Sequence, residues 1–222
     1  MMRSMRAIDR ADVVLLVIDA TEDFTSQDLH IAGYVEEQKK GLVVVVNKWD
    51  LVEKDDRTFD EYADRLRGQA PFLGFAPIVS VSARSGQRVG RALDAAVEIA
   101  RGRRRRINTG ALNRVLNDAT YRQPPPPVRN RRPRFYYATQ ASIEPPTFVL
   151  FASGAEHVHF SYRRYLENRL RDAFGFGGTP IRIIVRERSR VDLEPRRRKT
   201  ASGHGAKPGK RVSGKTGGRA KR

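Results

Sequence analysis

"LVVVVNKWD", residues 42–50, decides how this chain folds. One leucine and four valines in a row are too few for a helix and apolar at every position. That is the signature of a strand buried on both faces, as inside a parallel sheet. The run ends in the polar tetrad Asn47-Lys48-Trp49-Asp50, so chemistry is placed at a strand's carboxyl end, where open parallel sheets bind their ligands.

The flanking sequence repeats the pattern. "ADVVLLVIDA" (11–20) and "PIVSV" (77–81) read as further buried strands. Between them, Thr25 and Asp28 have capping-box spacing, Leu29, Ile31, Ala32 and Val35 follow helical spacing, and Gly41 is the expected helix stop. Phe59, Tyr62, Ala63 and Leu66 mark a second helix. Val89, Leu93, Ala96, Val97 and Ala100 are expected to line one face of a third. The β-α-β-α-β-α order predicts right-handed crossovers and a parallel sheet with helices on both faces.

The polar loops suit guanine. Its base edge carries two adjacent N–H donors, and a carboxylate such as Asp50 accepts both; adenine has no such pair and would leave the carboxylate unsatisfied. The aliphatic stem of Lys48 can lie on the ring, and Asn47 can tie neighbouring loops together. After the third strand come Ser82 and Ala83. The Ala83 N–H is expected to donate to the base carbonyl, with Ser82 bracing the loop. N-K-x-D alone is a weak pattern; N-K-x-D and S-A, each directly after a buried strand, make a strong pair.

Charge divides the chain. Residues 1–101 hold 14 Lys+Arg and 17 Asp+Glu, whereas residues 102–222 hold 29 and 8, a net of +21. The second part is expected to face a polyanion. There are no cysteines, which excludes disulfides and thiolate sites and is compatible with a cytoplasmic location. No apolar run approaches membrane-spanning length, so no membrane partner is expected. His30, His157, His159 and His204 show no metal-ligand spacing.

Beyond a basic linker, 102–106, Thr109 is the expected cap of a helix carrying Leu112, Val115, Leu116 and Ala119. "QPPPP" (123–127) ends it and favours an extended connector. "RFYYATQAS" (134–142) and "TFVLFAS" (147–153) read as strands, "SYRRYLENRLRDAFG" (161–175) as an amphipathic helix ended by Gly175, and "PIRIIVRER" (180–188) as a last strand. The order α-β-β-α-β predicts a three-stranded sheet with helices on one side. "GFGG" (175–178) spells the nucleotide-gripping G-x-x-G, but it joins a helix to a strand and reads as a helix stop and tight turn. Arg103, Arg104, Arg105, Arg106, Arg131, Arg132, Arg163, Arg164, Arg182 and Arg186 are candidate RNA contacts; the 103–106 cluster reads equally well as a solvated linker. Tyr136, Tyr137 and Phe160 can stack on bases or sit in the core.

At these motifs the chain resembles a known family. "RSMRAIDRADVVLLVIDATEDFTSQD", "VVNKWDLV" and "VSVSARSG" look like the latter half of a translation-factor-class GTPase domain, most closely the second GTPase domain of the Der (EngA) ribosome-assembly GTPases. "PPTFVLF" and "SYRRYLENRLRDAFGFGGTPIRI" resemble that family's KH-like domain. Asp23, where the family has Gly, departs from the pattern. The resemblance implies GTP or GDP as cofactor (with Mg²⁺ in the full-length family), and ribosomal RNA and the large ribosomal subunit as partners. The family's P-loop, switch threonine, D-x-x-G motif and Mg²⁺ ligands have no counterpart here, so little GTP hydrolysis is expected from this chain alone, and no residue is assigned as catalytic. The missing upstream GTPase portion is a further candidate partner.

The expected architecture is therefore α/β: a partial P-loop-GTPase-type parallel sheet over residues 1–101, a small α+β KH-like domain over 107–190, and a disordered basic tail over 191–222. Within the tail, "GKRVSGKT" (209–216) matches G-x-x-x-x-G-K-[ST] letter for letter. It lacks the preceding strand and following helix that a working P-loop needs, which counts against a circularly permuted GTPase. An RNA- or ribosome-binding module indifferent to nucleotide is the main alternative.

Overall fold

The computed structural model of the chain describes residues 2–22, 24–53, 55, 57–128 and 131–188. The tail and its "GKRVSGKT", Lys215 included, lie outside the described residues, as does Asp23.

The first sheet contains β1 (Val13–Asp19), β2 (Gly41–Asn47) and β3 (Ile78–Ser80), all parallel, with β2 in the centre. Leu42, Val43, Val44, Val45 and Val46 are all buried, which is why this strand shows no alternation. Helices flank it: α1 (Met2–Arg10), α2 (Ser26–Glu37) and α3 (Thr58–Gln69) accompany one core, with Leu16, Ile18, Leu42, Val44 and Val46. On the opposite face α4 (Val89–Arg103) packs Ala92 and Ile99 against Val43 and Val45. The expected capping box is present, with the Thr25 hydroxyl accepting from Asp28 N–H and the Asp28 carboxylate accepting from Thr25 N–H.

Two local expectations are corrected. Gly41 does not end α2; Lys39 takes the positive φ of 53°, and Gly41 opens β2. The buried stripe of α4 runs through Ala92 and Ile99, whereas Leu93 and Val97 are exposed. The helix packs mainly on the central strand, with Val13 of β1 and Val79 of β3 at the margins of the same cluster. Leu15 and Val17 of β1, register partners of Val43 and Val45, are exposed on the same face. Together with Leu93 and Val97 they leave apolar side chains exposed on that side.

The second sheet has order β4-β5-β6: β4 (Arg134–Ser142) runs antiparallel to β5 (Thr147–Ser153), and β6 (Arg182–Glu187) parallel to it. Helices α5 (Thr109–Arg122) and α6 (Phe160–Phe174) share one core with Ala138, Phe148, Leu150, Ile183 and Val185, so both lie on one face. Asn108, not Thr109, caps α5, its Oδ1 accepting from Gly110 N–H at 2.8 Å. Gly175 ends α6 in the left-handed region, as expected. His159, unassigned from sequence, is the α6 N-cap, its Nδ1 accepting from Ser161 N–H.

A seam joins the two sheets. Leu42 N–H donates to Gly178 O at 2.9 Å, and Gly178 N–H donates to Phe75 O at 2.7 Å. Gly178 has φ +67°, and a Cβ there would stand 2.1 Å from Ile99 Cδ1. "GFGG" is thus a helix stop and also the point of closest approach to β2. Arg103, 4 % exposed, donates to Lys39 O at 2.7 Å. Arg104 pairs with Glu144 at 2.9 Å and lies 3.6 Å from Asp12, and Arg105 donates to Phe174 O.

Among the described residues, no helix is long and apolar enough to cross a membrane, and no group of three His, Asp or Glu side chains converges to hold a metal.

Gly178→Ala should cost roughly 2–5 kcal/mol, combining left-handed strain of about 1–2 with overpacking of about 1–3. Gly177→Ala, with open space around its Cβ, should cost much less. Urea midpoints of the two variants check this; equal midpoints would contradict the close approach.

Candidate functional site: loops at the carboxyl ends of the parallel strands

The apolar strand β2 delivers Asn47 to its carboxyl end, where the chain turns through Lys48 at φ +59° into a short 3₁₀ turn, Trp49–Leu51. Trp49 anchors the turn from below. It is buried, makes edge contacts with Phe59 and Tyr62 at 5.7 and 5.6 Å between ring centroids, and donates its backbone N–H to Val81 O. Lys48 and Asp50 are left at the surface.

The second loop follows β3. Ser82 is fully buried, its Oγ accepting from Ser85 N–H at 3.3 Å and its own N–H donating to Gln87 O at 3.1 Å, so it braces the loop as expected. The two loops meet at one bond: Ala83 N–H donates to Asn47 Oδ1 at 2.9 Å. Asn47 therefore ties the loops together as expected. The Ala83 N–H, expected to face the base, is instead engaged by that amide. Asn47 also accepts from Ala20 N–H through its carbonyl, which brings the end of β1 into the same cluster.

Asp19 is the residue that sequence reasoning missed. It is the register partner of Asn47, and its Oδ2 lies 2.5 Å from Lys48 Nζ. The Lys48 hydrogen bond, reinforced by the N–H and hydroxyl of Thr21, holds the Asp19 carboxyl down at about 2; the same contact raises the Lys48 ammonium. The detectable signal was an acidic residue closing a neighbouring parallel strand. Arg84, also unassigned, joins Asn47, Lys48, Asp50 and Leu51 in lining an open cleft of about 350 Å³. That volume accommodates a purine, with the Asp50 carboxylate on its wall and the Lys48 stem beside it.

The candidate RNA contacts lie in several separate places. Arg103, Arg104 and Arg105 belong to the seam: Arg103 is withdrawn from solvent, its guanidinium disfavoured by burial, and the other two are engaged with Glu144, Asp12 and Phe174. For Arg103 the expected phosphate contact is thereby excluded in this structure, because the seam needs its guanidinium inside. Arg106 is exposed. Arg163 and Arg164 sit on α6, Arg164 beside a cleft that also holds Glu36 and Glu167. Arg182 and Arg186 are exposed on β6, and Arg131 and Arg132 line a separate cleft of about 430 Å³ with Ser153, His157 and Glu187. Tyr136 and Tyr137 are half-buried outside the main cluster, and Phe160 is exposed.

Comparisons with known proteins agree with this geometry. The family model for the elongation factor Tu GTP-binding domain matches residues 1–101, and that for the C-terminal KH-domain-like region of EngA bacterial GTPases matches 106–186. GTPase Der of Moorella thermoacetica is 50 % identical over 185 residues, covering 83 % of this chain and 42 % of that protein. GTPase Der of Chloroflexus aggregans is 51 % identical over 192 residues, covering 86 % and 43 %. A solved Era structure from Aquifex aeolicus aligns over 82 % of this chain and 67 % of its own at a TM-score of 0.37 and 16 % identity, too loose a likeness to carry an argument. The chain is thus a GTP-binding-domain protein with an attached KH-like domain. It belongs to the Der (EngA) family of GTPases. It spans less than half the length of the curated relatives it matches.

The Asp19–Lys48 pair carries a pH signature. Because the folded pKa is depressed, the pair's contribution is complete above the ordinary carboxyl value of 3.8 and is lost as pH falls from there through about 2. An NMR titration should find the Asp19 carboxyl with a midpoint near 2. In Lys48→Met the midpoint should rise towards 3.8, and an unchanged midpoint would contradict the pairing.

Proposed function

We propose that residues 1–101 recognise the guanine base of GTP and GDP, and that the basic second half docks on ribosomal RNA, in a protein that acts in large-subunit assembly in the cytoplasm. The observation that carries the nucleotide part is the Asn47–Ala83 bond. It holds two loops from two strands around one cleft with Asp50 on its wall. In that cleft Asp50 accepts the two N–H groups of the guanine edge, the Lys48 stem covers the ring, and Asp19 keeps the Lys48 head off the base. Phosphates and Mg²⁺ fall to the parts of a GTPase that no described residue supplies, so binding by this chain is base-directed and weak, and turnover slow. A robust Mg²⁺-dependent GTPase rate from the pure chain would overturn that.

The RNA part rests on charge. The net +21 of residues 102–222 predicts affinity dominated by phosphate contacts and falling steeply with salt. The large subunit is the partner suggested by kinship with Der GTPases, and a nucleotide-indifferent RNA module is the competing outcome.

Trp49 is the only tryptophan, so its emission reports on the guanine loops. Titration with GDP should change it, whereas ADP should not. Asp50→Ala should weaken the response by roughly a hundredfold, the worth of two hydrogen bonds to a charged group. Asp50→Asn, whose amide donates where the carboxylate accepts, should shift preference towards xanthosine diphosphate. Equal responses to GDP and ADP would defeat base recognition.

A further inference from the structure

The second sheet has two faces. Helices α5 and α6 cover one; no helix among the described residues shares a core with the other. On that open face β4 carries a bulge between Phe135 and Tyr137. Phe135 turns inward and stacks on Tyr162, while Tyr136 and Tyr137 join neither helix. Tyr137 stacks on its cross-strand partner Phe151, with ring centroids 4.4 Å apart and planes 16° from parallel. Phe151 is in turn the register partner of Arg186, so one row across the sheet reads Tyr137, Phe151, Arg186. Just past the end of β6, Arg188 places its guanidinium 4.2 Å from the Tyr136 ring centroid, and Arg134 lies 5.7 Å from the same ring. Arg182 is exposed at the other end of the strand.

Charge on these strands is one-sided. Glu187 is the only acidic residue of β4, β5 and β6. It turns away, its carboxylate accepting from Gly154 and Ala155 N–H at 3.2 and 2.9 Å. The face therefore offers aromatic rings and four guanidinium groups with no carboxylate among them.

We infer that this open face binds single-stranded RNA, with two or three unstacked bases lying on Tyr137, Phe151 and Tyr136 and the backbone running along Arg134, Arg182, Arg186 and Arg188. The inference deepens the RNA reading above and rests on it. A duplex fits poorly, because its bases are already stacked and its phosphates alone would meet the arginines; single strands present the π-faces that such a platform takes. The seam lies elsewhere, at Gly178 and Arg103–Arg105, so the face stays open while the two sheets are joined.

The experiment is fluorescence anisotropy with the full chain, using a mixed-sequence single-stranded RNA 10-mer and a duplex of equal length across a salt series. The single strand should bind more tightly and quench tyrosine emission. Tyr137→Leu/Phe151→Leu, which keeps apolar bulk, should lose at least about tenfold in single-strand affinity with an unchanged salt slope. Arg186→Gln/Arg188→Gln should lower the slope by about one per phosphate contact. Arg163→Gln/Arg164→Gln, on α6, should leave single-strand affinity within about twofold of the parent. Thermal melts by circular dichroism identify any variant that fails to fold, and Tyr137→Leu alone then replaces the double. If the parent chain binds neither RNA, the RNA reading falls and this inference with it. If the parent binds but the Tyr137 and Phe151 variants keep full affinity, or the α6 variant loses it, RNA binding stands and the open face is not its site.

Discussion

Strand β2 is the constraint on which the rest depends. Its five buried apolar residues have one stable environment, the centre of a parallel sheet, and that placement fixes both of its ends. At the carboxyl end it presents Asn47, whose amide gathers Ala83 and whose register partner Asp19 engages Lys48. At the amino end, Leu42 N–H reaches out of the sheet to Gly178, within the loop that ends α6. One extended strand therefore connects the cleft lined by Asn47, Lys48 and Asp50 to the basic second half.

The seam is built from features that are awkward in isolation. A left-handed glycine, a buried guanidinium and a backbone carbonyl capped by arginine each cost free energy unless their partners are present. Here they supply one another: Ile99 fills the space a side chain at Gly178 would need, and Lys39 O meets Arg103. The arginine run 103–105 thus works inward, as a clamp between sheets. Arg182 and Arg186, by contrast, remain exposed on the second sheet.

Much of the fold was legible because single forces dominate it. Unbroken valine runs have one reading, and the α5 and α6 periodicities are strong enough to mark their buried faces. The misses arose where local pattern could not report tertiary cover. Leu93 and Val97 obey helical spacing, yet they stay exposed, as Leu15 and Val17 of the edge strand do, while Ala92 and Ile99 carry the packing. Arg103 belongs to a run that looks solvated, and only the arrival of Lys39 makes it buried. At the site, Asn47, Lys48, Asp50, Ser82 and Ala83 were readable from their spacing after strands. Asp19 was not, because its role depends on which strand lies beside β2. The Tyr137–Phe151 stack depends likewise on a bulge that shifts register by one residue.

The direct test of the account is amide hydrogen exchange at Leu42 and Gly178, the donors of the seam. If β2 joins the two sheets into one body, both should exchange as slowly as Val44 and Val45, and all four should respond together to mild denaturant. Exchange of Gly178 at the rate of an open loop, with Val44 and Val45 still protected, would contradict it.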